Sequence, residues 1–383
     1  MPGSDGPASR PASLRLGTVA ALVTGVVYMI GSSRPFGYDA SVTVARFVAT
    51  PSLLDALRRQ DVFNNHVLFS LAEHVVYSLT GSRSEVVLRL LPVAAAAGVV
   101  GLTAVMAARR WGLVAGAVAA VVVAANPTFA AEARDVRGYS MVVLAALVST
   151  LILLSLMRSE GDPSLPRRAA YVAVSAVGVG VHLSMALVLL AHLAAAVAHR
   201  HPRRLGILPM ASVLMGSLFY AGVAGTMLAV RHDPRFRPGF ARQLLSALGG
   251  AQGRAFIGPV VVIGLVLLAR DLRARVALAT LVVSIGWVWL VAKPYFLYPR
   301  FFVWLVLATA AAAAAAVARW PALVAPLALG VALAIPAQAR AWGRAQVPNR
   351  RAADVVAGLH RPGPVCSLGA SLEPLDVYLR TRR

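Results

Sequence analysis

Apolar stretches of about twenty residues, separated by short segments rich in arginine, recur along the whole sequence. A helix needs roughly 20 apolar residues to cross the hydrocarbon core of a bilayer, so this pattern predicts a chain that crosses the membrane many times. The composition agrees, because 14% of the residues are charged, against about 25% in a soluble domain. The predicted fold class is an all-α polytopic membrane protein with about 11 transmembrane helices and interfacial helices in the first outer loop.

The net charge of +22 arises from 37 Lys and Arg residues against 15 Asp and Glu residues. In a soluble protein this excess would suggest nucleic acid as a partner. Here most arginines lie between apolar stretches, where they orient helices and contact anionic lipid. Membrane lipid is therefore an expected partner and nucleic acid is not. Cys366 is the only cysteine, so the sequence provides neither an intrachain disulfide nor a cysteine metal site.

The arginine clusters predict a cytoplasmic N-terminus and an external C-terminus. Residues 1–13 are expected to be disordered and cytoplasmic, residues 14–339 to form the transmembrane domain, and residues 340–383 to form a short external tail. Residues 67–79 carry Glu73 and His74 at their centre, which makes them too polar and too short to span, so they are assigned to an interfacial helix. The predicted spans are residues 14–30, 86–108, 113–131, 139–157, 169–181, 184–198, 205–230, 256–269, 276–291, 301–318 and 322–337.

The predicted outer loops collect acids, bases and aromatic residues at helix ends, on one side of the membrane. These residues are Asp39, His66, Glu132, Asp135, Arg137, Tyr139, His182, Lys293 and Arg300. A carboxylate at an apolar boundary, such as Asp39, can act as a general base on an incoming hydroxyl. The alternative for Asp39 is an ordinary loop acid that caps the next helix.

Each of the other candidates also has two interpretations. The charges from Glu132 to Arg137 either pair locally or supply a second acid that faces Asp39. His66 is either a structural histidine or a site residue. Lys293 and Arg300 either anchor the chain at the membrane interface or bind a lipid-linked phosphate. Asp39 and Asp135 could together hold a divalent cation, but no metal or other cofactor is favoured, because the histidine spacing predicts no metal site.

Several short motifs occur in a characteristic order. They are Tyr38-Asp39, Asn65-His66, Gly81-Ser82-Arg83-Ser84-Glu85, Arg89-Leu90-Leu91-Pro92, Asn126-Pro127 and the run from Ala133 to Ser140. This order resembles that of the C-type integral-membrane glycosyltransferases, in the family that includes protein O-mannosyltransferases and the lipid A aminoarabinose transferase. The resemblance covers residues 15–157 well and continues more weakly through His182 and residues 293–300.

The resemblance implies transfer of a hexosyl or pentosyl group from a polyprenyl-phosphate donor to an acceptor hydroxyl of a protein, lipid or glycan. The reaction would occur at the external face of the plasma membrane, and a single displacement would invert the anomeric centre. Asp39 corresponds to the catalytic base, and Glu132 or Asp135 to a further acid of the family. The resemblance also implies positioning roles for Tyr38, His66, Glu132, Asp135, Tyr139 and His182, and phosphate binding by Arg137, Lys293 and Arg300.

The sequence departs from the family at two motifs. The family has Asp-Glu in the first outer loop, whereas Ala40 follows Asp39 here, and the family's His-Pro-Pro is replaced by His66-Val67-Leu68. Ala40 motivates a second hypothesis, a non-catalytic accessory subunit of an envelope-glycan assembly complex. A third is a lipid or solute transporter, which would require ionisable residues inside the spans. The abundance of alanine and arginine, with one lysine, suggests a GC-rich bacterial genome.

Overall fold

The protein is helical throughout the part of the chain that the computed structural model describes, which is residues 7–58, 66–159, 163–198, 205–223, 254–291 and 299–343. The helices are α1 (Arg10–Met29), α2 (Tyr38–Thr43), α3 (Leu53–Arg58), α4 (Val67–Thr80), α5 (Glu85–Leu88), α6 (Leu90–Trp111), α7 (Leu113–Ala124), α8 (Pro127–Glu132), α9 (Tyr139–Met157), α10 (Leu165–Val181), α11 (Met185–Ala198), α12 (Ile207–Ser217), α13 (Arg254–Leu268), α14 (Leu272–Val291), α15 (Val306–Arg319) and α16 (Val324–Gly343). The described residues also contain a π-helical turn (Val44–Val48) and three 3-10 segments (Leu218–Val223, Pro299–Leu305 and Pro321–Leu323), and short turns and loops join the helices.

Four helical segments of the described chain are long and apolar enough to cross a membrane. They are Arg10–Met29, Glu85–Trp111, Tyr139–Met157 and Arg300–Arg319, and six shorter apolar helices accompany them. The predicted all-α polytopic fold class is confirmed. The predicted fourth span coincides with α9, and α4 is a separate helix of 14 residues, which at 1.5 Å per residue is shorter than the hydrocarbon core.

Helices α1 and α6 pack against each other in antiparallel directions. The backbone N–H of Ala8 donates to the carbonyl of Ala108 at 3.1 Å, so α1 begins where α6 ends. The two backbones approach each other closely at Gly17 and Gly101, because a Cβ added to Gly101 would lie 2.8 Å from the carbonyl oxygen of Gly17. Small residues allow such contacts between membrane helices, where van der Waals packing replaces the hydrophobic effect.

Helix α15 lies against α7 on one side and α13 on another. Its buried residues include the alanines at 310, 312, 313, 314 and 316, each with 0% of its surface exposed. The alanine run therefore forms the small-residue packing surface that its composition predicts. Helices α9, α10 and α12 pack in sequence beside α6, and α14 packs on α11.

The predicted third span, residues 113–131, is wrong as a single helix. Helix α7 ends at Ala124, and Asn126 then caps a separate helix, α8, by accepting a 2.9 Å hydrogen bond from the backbone N–H of Phe129. Pro127 occupies the first turn of α8, where its missing N–H costs nothing. The break redirects the chain, so Glu132 lies at the end of a short helix that packs against residues 299–305.

The predicted seventh and tenth spans also differ from the structure. Helix α12 gives way to 3-10 geometry at Leu218, where the Tyr220 hydroxyl donates to the carbonyls of Val179 and Gly180 at 3.0 and 3.2 Å. Before α15 the chain forms the 3-10 segment Pro299–Leu305, in which Phe302 has non-helical dihedral angles. The remainder of the predicted seventh span, residues 224–230, and most of the predicted C-terminal tail, residues 344–383, lie outside the described residues.

Candidate active site

Asp39 lies in the first turn of α2, directly after the loop that leaves α1. Gly37 is the N-cap of α2, and the exposed N–H groups of a helix start favour a carboxylate at this position. The next residue, Ala40, points the other way and is fully buried in the hydrophobic core together with Phe36 and Val44. Residue 40 therefore packs the helix against the core, and Asp39 is left at its partly open face.

Two arginines from distant parts of the chain bind the same oxygen of Asp39. Arg137 Nη1 lies 2.8 Å from Asp39 Oδ2, and Arg300 Nη2 lies 2.7 Å from it. The Asp39 side chain is 32% exposed, whereas those of Arg137 and Arg300 are 13% and 23% exposed. The start of α2, the loop before α9 and the segment before α15 therefore meet at one carboxylate.

Aromatic and histidine rings line one side of this ion-paired cluster. The ring centroid of His66 lies 4.7 Å from that of Tyr139 and 4.8 Å from that of His182. His182 in turn lies 5.1 Å from Phe301. Both arginines lie over the Tyr139 ring, with the guanidinium carbons of Arg137 and Arg300 at 5.6 and 5.8 Å from its centroid. Tyr139 thus connects the histidines to the arginines that bind Asp39.

Glu132 and Asp135 interact electrostatically with Asp39 and with both arginines. Burial raises the pKa of the Glu132 carboxyl to about 7, although Arg300 opposes the shift. Burial also raises the pKa of Asp135. Glu132 Oε2 and the Tyr139 hydroxyl are buried and have no hydrogen-bond partner among the described residues. A buried polar atom without a partner is costly, so this corner of the site is suited to polar groups of a ligand.

Both histidines are held in the neutral form. Burial lowers the pKa of His182 to about 3, with further lowering by Arg137 and Arg300, and burial and Arg137 likewise lower the pKa of His66. The backbone N–H of Ser184 donates to His182 Nδ1 at 3.0 Å. Because Nδ1 is an acceptor, the proton of neutral His182 is on Nε2, and that nitrogen can donate a hydrogen bond.

Gly138 makes the convergence of these elements sterically feasible. A Cβ at this position would lie 2.7 Å from Val181 Cγ1, 3.1 Å from Phe69 Cβ and 3.2 Å from His66 Nδ1. The φ angle of Gly138 is −75°, so the requirement for glycine is one of space and not of backbone conformation. Any side chain at residue 138 would push α4 and the end of α10 away from α9.

The structure brings together most of the residues predicted from the sequence. The cluster contains Asp39, His66, Glu132, Asp135, Arg137, Tyr139, His182 and Arg300. Tyr38 has 43% of its surface exposed, and Lys293 lies outside the described residues. Two further residues near the site were not predicted from the sequence. Phe301 follows Arg300 directly, and the buried Arg89 stands out in the sequence only as part of a motif.

The described residues contain no group of three or more histidine, cysteine or acidic side chains that could hold a metal ion. Asp39 and Asp135, the pair considered from the sequence for a divalent cation, both interact with Arg137 and Arg300. The positive charge that a divalent cation would place beside these two carboxylates is therefore already supplied by two guanidinium groups. The expectation that no cofactor is needed stays a prediction.

The fold and the position of this cluster define a class of protein: a polytopic all-α membrane protein with an acid–arginine site at one end of its helices. Two solved structures with a similar fold are both of ArnT from Cupriavidus metallidurans, a C-type glycosyltransferase. The apo structure matches with a TM-score of 0.58 and 16% sequence identity, over 93% of this chain and 66% of that chain. The structure bound to undecaprenyl phosphate matches with a TM-score of 0.60 and 17% identity, over 95% and 69%.

The chain thus spans about two thirds of the length of ArnT. No protein-family model matches the sequence, and neither does any curated protein. The resemblance to C-type glycosyltransferases inferred from the motifs is confirmed at the level of the fold.

Proposed function

We propose that this protein is a membrane glycosyltransferase that uses a polyprenyl-phosphate-linked sugar as donor and an acceptor hydroxyl at the external face of the plasma membrane. The observation that carries the proposal is the double pairing of Asp39 Oδ2 with Arg137 and Arg300. A carboxylate suited to accept a proton and two guanidinium groups suited to bind a phosphate lie within hydrogen-bond distance of each other. The ArnT fold and the complex of ArnT with undecaprenyl phosphate support the donor class.

In the proposed reaction, Arg137 and Arg300 bind the donor phosphate. Asp39 removes the proton from the acceptor hydroxyl, whose oxygen attacks the anomeric carbon as the bond from that carbon to the phosphate oxygen breaks. The electron pair of the broken bond remains on the phosphate, where the two guanidinium groups stabilise the added charge. The sugar leaves with inverted configuration, Asp39 carries the proton, and polyprenyl phosphate is the second product.

The pairing of Asp39 with both arginines adds a condition to this scheme. Asp39 and the donor phosphate compete for the same two guanidinium groups, because both arginines bind Asp39. Donor binding then separates Asp39 from the arginines, and the carboxylate becomes available as a base only when a substrate is in place. Because of this competition, removing the charge of Asp39 should strengthen binding of the lipid phosphate but weaken sugar transfer.

The test is sugar transfer by purified protein in liposomes, from a panel of polyprenyl-phosphate hexoses and pentoses with a membrane extract as acceptor source. We expect Asp39→Asn to lower transfer by about 10²–10⁴-fold, the usual contribution of a general base. The same variant should bind undecaprenyl phosphate more tightly than the parent, because a competing carboxylate is gone. Binding is measured separately, by titration of the lipid into the same liposomes.

Asp55→Asn is the matched control, since Asp55 is an exposed acid on α3 whose carboxylate accepts a hydrogen bond from the Ser52 hydroxyl. It should change neither measurement. Unchanged transfer by folded Asp39→Asn would remove Asp39 as the base. No transfer from any donor by folded parent protein would favour the accessory-subunit hypothesis.

Ala40, which motivated the accessory hypothesis, is enclosed by the hydrophobic core. The alanine therefore fills a packing position on the far face of α2. This placement supports an active enzyme, because the arginine-paired carboxylate of Asp39 does not depend on the side chain at residue 40.

A further inference from the structure

Arg89 connects the two loops that carry the principal site residues. It lies between α5 and α6 and is 5% exposed. Its Nε donates to the carbonyl of Arg134 at 2.8 Å, and its Nη1 donates to the carbonyls of Ser32 and, at 2.6 Å, of Arg34. Nη2 donates to Pro35 at 3.4 Å. One side chain therefore binds main-chain oxygens in residues 30–37 and in residues 133–138.

The bonded carbonyls lie just before the residues that form the ion-paired cluster. Pro35 precedes Asp39 by four residues, and Arg134 precedes Arg137 by three. The Arg89 guanidinium also lies 5.2 Å from the ring centroid of Phe36, which is fully buried. Because residues 30–37 and 133–138 have few helical hydrogen bonds of their own, a shared partner helps to fix one loop relative to the other, together with the Arg137–Asp39 ion pair and the hydrogen bond from Arg134 to the carbonyl of Val27.

The chemistry of the contact requires arginine. The guanidinium presents five N–H donors in a planar fork, so it can bind carbonyls that lie in different directions. A lysine at residue 89 would keep the positive charge but would concentrate its three donors at one atom, which cannot reach both loops in this geometry.

We infer that Arg89 is a positioning residue that holds the Asp39 loop against the Arg137 loop, and so sets the distance between the base and the phosphate-binding arginine. This inference rests on the proposed function for its catalytic consequence. Arg89 itself touches neither donor nor acceptor in the proposed reaction. Its effect on turnover is transmitted through the position of Asp39 relative to Arg137, so it requires the Asp39 carboxylate.

The experiment compares Arg89→Lys and Arg89→Gln with the parent protein in two measurements. Hydrogen exchange should be at least tenfold faster at the amides of residues 31–34, 36–37 and 133–138 in both variants, and unchanged in α9. Transfer at saturating donor should fall at least tenfold in Arg89→Lys, the variant that keeps the charge and so is the safer one for folding. The double variant Asp39→Asn/Arg89→Lys should turn over as slowly as Asp39→Asn alone, because Arg89 acts through Asp39.

Arg83→Lys is the matched control. Arg83 contacts Tyr77, through a 3.5 Å hydrogen bond and a ring contact at 5.7 Å, and we expect neither measurement to change. Unchanged exchange at both loops, or Arg89→Lys transfer within twofold of the parent, would overturn the inference. So would a further loss of transfer when Arg89→Lys is added to Asp39→Asn. Absence of transfer by the parent, with exchange accelerated as expected, would instead reject the proposed function and leave the loop contact established.

Discussion

Glu132 carries a carboxyl group that changes its protonation near neutral pH. Burial raises its pKa from 4.5 to about 7, so between these values the folded protein holds a proton that the unfolded chain has released. The contribution of this group to the free energy of unfolding is therefore largest below about pH 4.5, decreases as the pH rises, and is constant above about pH 7. A neutral Glu132 can also donate a hydrogen bond, which a carboxylate cannot.

Glu132→Gln tests this linkage directly. We expect the melting temperature of the parent protein to fall more steeply between pH 5 and pH 8 than that of the variant, because glutamine does not ionise. The measurement is thermal unfolding in detergent at several pH values. Asp55→Asn should follow the parent curve, and parallel curves for Glu132→Gln and the parent would place the ionisation of Glu132 outside this range.

At the scale of single residues, the sequence predicts which side chains share a side of the membrane better than it predicts their contacts. The sequence predicts that Asp39, Arg137 and Arg300 lie together, because each follows or precedes an apolar stretch on the same side. Their pairing through a single oxygen could not be predicted, since residues about 100 and 160 positions apart meet only after the helices have packed. The burial of Ala40 could not be predicted either, because a six-residue helix has too few residues for its hydrophobic periodicity to show which face is buried.

At the scale of helices, the junction between α4, α9 and α10 depends on Gly138. Gly138→Ala should lower transfer by about 10–100-fold, since a displacement of about 1 Å can cost 10²-fold in rate. The backbone angle of Gly138 is compatible with alanine, so the effect is one of contact with Val181, Phe69 and His66. The measurement is transfer at saturating donor, with the melting temperature recorded alongside.

Gly25→Ala is the control for this substitution, because the nearest atom to its added Cβ is Ala97 Cβ at 3.8 Å, an ordinary contact. It should leave transfer within twofold of the parent. Transfer by Gly138→Ala at the same level as Gly25→Ala would show that the junction tolerates a shift of its helices.

The boundaries of helices were predicted well where hydropathy alone decides them. Helix α9 matches residues 139–157, and α4, Val67–Thr80, extends one residue beyond the predicted helix 67–79. The predicted third span missed the break at Asn126-Pro127, because the apolar residues on both sides mask these two residues in a window average of hydropathy, although the capping chemistry marks a helix start. The 3-10 segment before α15 gave no signal in hydropathy either, yet it is the segment that brings Arg300 to Asp39.

For the whole molecule, the length of α6 separates the candidate site, near its first residue, from Arg109 and Arg110 in its last turn. Its 22 residues correspond to about 33 Å, close to the thickness of the hydrocarbon core. Arg109 and Arg110 lie in its last turn, whereas Arg89, which binds the site loops, precedes its first residue. Because arginine is enriched on the cytoplasmic side, the site is expected at the external surface.

Cysteine labelling tests this orientation. In a Cys366→Ser background, Tyr38→Cys should react with a membrane-impermeant maleimide in intact cells, because Tyr38 is exposed beside Asp39. Arg110→Cys, at the exposed far end of α6, should react only after the membrane is permeabilised. The reverse result would place the site in the cytoplasm and would contradict an external transfer reaction.

The contacts of Arg89 have a consequence for how such proteins diverge. Its hydrogen bonds reach carbonyl oxygens of residues 32, 34, 35 and 134, and every amino acid supplies a carbonyl oxygen. The loops can therefore exchange almost all of their side chains without losing this contact, as long as an arginine remains at the start of α6. Relatives of this chain should be easier to find by an arginine at position 89 and a glycine at position 138 than by the identity of the loops between them.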